Sequence, residues 1–156
     1  MNIIRGRGER PAAAPAARIE VMDWTAACSE ASRIRTEVFV REQGVPLEIE
    51  MDEWDPLSLH ALAVDAADGA VLGTARLLPD GHIGRMAVAA SARRRGIGRA
   101  LLERLLREAR ARGHAQAIIH AQTHAIGFYE RAGFVVSSAE FDEAGIAHVE
   151  MRCPLR

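Results

Sequence analysis

The residues best suited to chemistry lie in three stretches. Residues 83–106 read IGRMAVAASARRRGIGRALLERLL, so Arg93, Arg94, Arg95 and Arg99 crowd around Gly96, Ile97 and Gly98. Glycine lets a backbone approach a ligand without a Cβ in the way. The first turn of a helix adds amides that lack intrahelical acceptors and the positive end of the helix dipole. A helix starting at these glycines is therefore a site for an anion such as phosphate. Groups that could move a proton lie elsewhere: the phenol of Tyr129, the imidazoles of His120 and His148, and the carboxylates of Glu42, Glu48 and Asp52. A free imidazole titrates near ~6.5, which suits proton uptake at neutral pH. His120 and His124 have metal-ligand spacing but straddle a strand–helix junction, so no metal is expected.

These groups need elements to hold them. Leu101, Leu102, Leu105, Leu106 and Ala109 recur at helical spacing, with Gly113 as the C-cap. Before that helix, residues 59–64, 71–78 and 82–88 read as a three-stranded meander, its last turn made by Pro79-Asp80-Gly81. Residues 115–121 should form a strand parallel to 83–88 in a right-handed βαβ unit. Thr123 is the expected N-cap of a short helix through Ala132, and residues 134–137 and 146–151 a closing hairpin. Upstream, residues 18–24 alternate as a first strand, and residues 29–41 carry Ile34 and Val38 at helical spacing. The fold class is α/β (α+β in some schemes): a mixed, mostly antiparallel sheet of six or seven strands flanked by helices. Residues 1–17 read as a disordered arm and 18–156 as a single domain.

Composition narrows the function. The net charge is −1, and all 20 basic residues are arginine. A Walker P-loop needs a lysine, so that site is closed. A dinucleotide fingerprint follows its strand directly and has a third glycine; here seven residues separate Val88 from Gly96, and Arg99, Ala100 and Leu101 follow Gly98. Only 4% of the chain is aromatic, so no nucleic-acid partner is expected. No apolar run approaches a membrane span, and Cys28 and Cys153 match no disulfide framework, so a reduced cytoplasmic setting is the expectation.

Arg93-x-x-Gly96-x-Gly98, after a strand ending Met86-Ala87-Val88, resembles the acetyl-CoA-binding motif of the GNAT superfamily of N-acetyltransferases. The segment Ala125-x-x-x-Tyr129-x-x-x-Gly133-Phe134 is similar to the one after that family's fifth strand. Val38-Phe39-Val40-x-Glu42-Gln43-Gly44-Val45-Pro46, with Asp52, Asp55 and His60, resembles the ElaA/YjcF-like branch. The likeness spans residues 18–152. It implies the acyl-CoA N-acyltransferase fold and direct transfer of acetyl from acetyl-CoA to a small-molecule or peptide amine in a ternary complex.

The resemblance also implies roles. Met86, Ala87 and Val88 would contact the pantetheine between splayed strands, with the Val88 N–H stabilising the oxyanion. The amides and side chains of Arg93, Arg94, Arg95, Gly96, Ile97, Gly98 and Arg99 would hold the pyrophosphate. Gln122, where the family often has Asn, Ala125 and Phe128 would complete the cofactor site. Tyr129 would protonate or hydrogen-bond the departing thiolate. With a phenol near ~10 and a thiol near ~8.5, full transfer is uphill by about 2 kcal/mol, so hydrogen-bond donation carries much of the effect. His120 and Glu42 are candidate bases. The acidic run of residues 42–55 reads either as a solvated loop or as one wall of a site for a cationic amine. A non-catalytic acyl-CoA-binding regulatory module is the alternative, and a homodimer is left open.

Overall fold

The computed structural model describes residues 17–155; the arm expected at residues 1–17 falls outside them except for Ala17, which already pairs with Asp65. Eight strands form one sheet: β1 (Ala17–Met22), β2 (Leu59–Asp65), β3 (Val71–Leu77), β4 (His82–Val88), β5 (Gln116–Gln122), β6 (Val135–Val136), β7 (Phe141–Glu143) and β8 (Ile146–Pro154). Their order is β1-β2-β3-β4-β5-β8-β6, with β7 also on β8. Every pairing is antiparallel except β4–β5, the expected parallel pair. The extra strand comes from the closing hairpin. Its near arm is β7, turned across Ala144 and Gly145 at φ 53° and 81°, while β6 pairs farther along β8 at Arg152 and Met151.

Helices cover both faces. Helix α1 (Trp24–Arg35) begins five residues before the position that periodicity suggests, because the Asp23 carboxylate accepts from the Ala26 amide at 3.0 Å and caps it. It runs on into a π-helical turn, Thr36–Glu42. Next come a single turn, α2 (Leu47–Glu50), then α3 (Ile97–Ala111) and α4 (Ile126–Glu130). Thr123 does not cap α4 as expected. It opens a 3₁₀ turn instead, and Ala125 is the residue at the helix start.

Alternation in β2 shows how the two layers form. Ala61 and Ala63 face α3, whereas Leu62 and Val64 face α1 with Ala27 and Ala31. Helix α3 seats Leu101, Leu102 and Leu105 in the larger core, each fully buried. Gly73 sets how closely it can lie: a Cβ there would be 3.2 Å from both the Ile97 and the Leu101 side chains.

Three acids of the run, Glu50, Asp52 and Asp55, are tied to arginines. Arg35, 1% exposed at the end of α1, donates to Glu50 at 2.7 Å and to both oxygens of Asp55 at 2.8 and 3.1 Å. Arg76 on β3 donates to Asp55 and Asp52 at 2.8 and 2.6 Å, and Arg85 on β4 reaches Asp52 at 3.1 Å. Burial raises the carboxyl pKa of Glu50 despite the arginines around it. Burial acts the same way on Asp55, but hydrogen bonds and charge from Arg35 and Arg76 outweigh it and hold the group low. Removing one member of a buried pair leaves an uncompensated charge, which costs about 3–5 kcal/mol. Arg35→Met should therefore lower the unfolding free energy by about that much in urea titration; a loss below about 1 kcal/mol would show that the network contributes little.

Candidate active site

A wedge between β4 and β5 defines the site. The two strands pair only at His82↔Ile118 and Ile83↔Ile119, then part. The cause lies in β4. Between Thr74↔Ala87 and Arg76↔Gly84, β4 has two residues, Arg85 and Met86, opposite one on β3, and Arg85 has φ 47°. Such a bulge bends its strand and turns it from its neighbour. The strained residue is held in place by its own side chain, which donates to the Glu50 carbonyl at 3.1 Å as well as to Asp52.

Beyond the bulge, the β4 backbone edge is open. The Ala89 amide donates to Leu72 on the β3 side. Alternation along an extended strand then turns the N–H and C=O of Val88 the other way, into the wedge. The Val88 carbonyl accepts from Arg93 Nε at 3.0 Å. The wedge opens into a cleft of about 910 Å³ lined by Met86, Ala87, Val88, Arg93, Gly98, Gln122, Ala125, Phe128 and Tyr129, among others. Nine of the residues singled out as cofactor contacts therefore share one cavity.

The glycine turn supplies the amides expected of it. Gly96 at φ 77° occupies the N-cap position of α3 with no side-chain cap, so the amides of Ile97, Gly98 and Arg99 have no intrahelical acceptor. The arginine side chains behave differently from the simple expectation. Arg93 forks onto Glu42 at 2.7 and 3.1 Å, Arg99 pairs with Glu103 at 3.0 Å, and Arg95 lies 3.5 Å from Asp65. Arg94 makes no ion pair among the described residues and sits at φ 65°. The side chain of Ile97 is 2% exposed in the core, so only its amide can serve a ligand.

Tyr129 packs edge-on to Phe128 and Phe134, and burial pushes its phenol up to about 12. The group therefore stays protonated at any physiological pH. Gln122 and Gln43 exchange amide hydrogen bonds at 2.9 and 3.3 Å, joining the end of β5 to the π-helical turn across the cleft. The wide π turn is what brings Phe39, Glu42 and Gln43 to the cavity wall.

Among the candidate bases, Glu42 is the weaker. Its carboxyl is lowered chiefly by the hydrogen bond from Arg93, which makes it a poor proton acceptor. His120 is better placed: its Nδ1 lies 3.0 Å from the Glu143 carboxylate, which can only accept, so that nitrogen is the donor. Residue spacing alone does not single out Glu143, because it reaches His120 only through the β7–β8 hairpin. His148 is buried, with Nδ1 2.7 Å from the Ile146 carbonyl. His124 Nε2 lies 2.6 Å from the Gln122 side-chain oxygen.

Comparison with known proteins agrees with this architecture. Residues 30–155 match the acetyltransferase (GNAT) domain model. The chain is 37% identical over 124 residues to the uncharacterized N-acetyltransferase YjcF of Bacillus subtilis, covering 78% of this chain and 89% of that one. An acyl-CoA N-acyltransferase from Pseudomonas aeruginosa superposes with a TM-score of 0.78 at 31% identity, over 88% of this chain and 99% of the other. Escherichia coli ElaA gives 0.78 over 88% and 99%, at 22% identity, a likeness of fold.

The two glycines of the turn should respond differently to substitution. Gly96→Ala forces a Cβ into the left-handed region and should cost about 1–2 kcal/mol. At Gly98 a Cβ would stand 3.6 Å from the Phe128 ring and 3.8 Å from Val88, ordinary contact distances. Gly98→Ala should stay within about 1 kcal/mol of wild type by thermal denaturation; equal losses at both positions would contradict this reading of the turn.

Proposed function

Because the chain belongs to the GNAT acetyltransferase family and is an acyl-transferring enzyme that uses acyl-CoA and an acceptor, we propose that it moves acetyl from acetyl-CoA to an amine by direct attack. The observation that carries this is the wedge opened by the Arg85 bulge, with the Val88 N–H on one wall and Tyr129 facing the same cavity. The cleft suits an extended thioester. Met86, Ala87 and Val88 offer main-chain edges to a pantetheine arm, and the amides of residues 94–99 can receive a pyrophosphate where Gly98 leaves room.

Proton and charge movements then follow from the side chains. His120 Nε2 takes the proton of the incoming ammonium, and Glu143 steadies the imidazolium that results. The free amine adds to the thioester carbonyl, and the Val88 N–H donates to the oxygen as it gains charge. The C–S bond breaks, the nitrogen gives its second proton to solvent water as the amide forms, and Tyr129 donates a hydrogen bond to the departing thiolate. Against a thiol near ~8.5, a phenol at about 12 makes full transfer uphill by about 5 kcal/mol, so donation without complete transfer dominates. The acidic run does not select a cation: Glu50, Asp52 and Asp55 are matched by Arg35, Arg76 and Arg85.

Kinetics separate the roles. Tyr129→Phe should lower kcat about tenfold or more with acetyl-CoA affinity nearly intact, and an unchanged kcat would remove Tyr129 from the reaction. His120→Gln should lower kcat/KM by about 10²–10⁴. Glu42→Gln should stay within about threefold of wild type, since its carboxylate serves Arg93; the reverse ranking of these two variants would make Glu42 the base.

A further inference from the structure

One cluster on the cleft face of the sheet is unused by the proposed reaction except through one member. His82 on β4, His120 on β5 and Glu150 on β8 come from three consecutive strands. His82 pairs in register with Ile118, two residues from His120 and on the same face, and His120 pairs directly with Glu150. One potential ligand atom from each lies within 4.8 Å of the other two. The two imidazoles meet edge to face, ring centres 5.7 Å apart. We propose that His82, His120 and Glu150 form a binding site for a divalent transition metal of the zinc class.

The surroundings of the three residues favour this assignment. Each has one polar atom already held by a neighbour. His82 Nδ1 lies 2.9 Å from Asp80, and His120 Nδ1 lies 3.0 Å from Glu143. Both the Ser137 hydroxyl and Arg152 Nε donate to the same oxygen of Glu150, at 2.9 and 3.1 Å. That leaves the Nε2 of each histidine and the second oxygen of Glu150. A carboxylate on the far nitrogen of a ligating histidine is the arrangement that fixes its tautomer and raises its basicity at zinc sites. Two imidazoles and one carboxylate suit zinc and its neighbours better than magnesium or calcium, which prefer oxygen. Tetrahedral ligands at ~2.0–2.1 Å stand about 3.3 Å apart, so small side-chain rotations close the set and leave a fourth position toward the cleft for water. His82 and His120 both line that cleft, so an ion can enter from it.

Metal binding and the proposed reaction meet at His120. An ion there takes the Nε2 lone pair that the acceptor's proton needs, so zinc acts as an inhibitor; this last point, unlike the site itself, rests on the role proposed for His120. The full chain, stripped with a chelator, is titrated with zinc in competition with a chromophoric chelator. One equivalent should bind with a Kd on the order of micromolar or tighter. His82→Asn and Glu150→Gln should each weaken binding more than about tenfold, while His124→Asn should bind as wild type does. No binding at that level, or equal binding by the wild type and a His82→Asn/Glu150→Gln double variant of unchanged circular dichroism, overturns the site. Turnover gives a separate reading: zinc should slow the wild type and spare Glu150→Gln. Stoichiometric binding without inhibition keeps the metal site and removes His120 as the base.

Discussion

The buried lattice of arginines and carboxylates is the constraint on which the site depends. Arg35 ties the end of α1 to Glu50 and Asp55, Arg76 ties β3 to Asp55 and Asp52, and Arg85 ties the bulge of β4 to Asp52 and to the Glu50 backbone. A strand residue at positive φ is costly and persists only where its surroundings over-determine it. The lattice does that at Arg85. It thereby links the loop that walls one end of the cleft to the kink that opens the cleft. Buried ion pairs are poor evidence of net stability, because desolvation offsets most of their attraction. Their use here is geometric: three segments far apart in sequence are fixed in one arrangement.

Opening a sheet leaves backbone groups without ladder partners, and such groups must be satisfied. Arg93 serves the Val88 carbonyl, and its fork on Glu42 spans from the glycine turn to the π-helical turn. The paired amides of Gln43 and Gln122 make a second crossing. The wedge is thus braced on either side of its mouth by side chains, while the Val88 N–H is left facing the cavity.

Much of this could be read from the chain. The meander, the glycine turn, α3 and the parallel return strand depend on local periodicity and turn chemistry, so they lie where residues 59–121 place them. Tyr129 and the Arg93–Gly98 turn are similarly local, and they share one cavity wall region. What was hidden depends on register between distant segments. Glu50, Asp52 and Asp55 are partnered by arginines whose positions on β3 and β4 only the sheet reveals. Asp23 caps α1 before any apolar repeat begins. The bulge has no sequence mark at Arg85, since arginine is not a residue that announces positive φ. Glu143 meets His120 across strands, and so do His82 and Glu150.

The cleft mouth also has a chemical consequence in the identity of its cations. Arg93, Arg94, Arg95 and Arg99 stand around the turn, and the entire chain contains no lysine. A guanidinium stays protonated and delocalised at every relevant pH, so it is inert as a nucleophile. A lysine at the same positions would bring a primary amine to the edge of the cleft, and the small fraction deprotonated would be open to acylation. By using guanidinium alone, the turn carries positive charge that cannot itself become acylated. Its side chains contain no ε-amine to compete with the acceptor or to record the enzyme's own activity as a covalent scar.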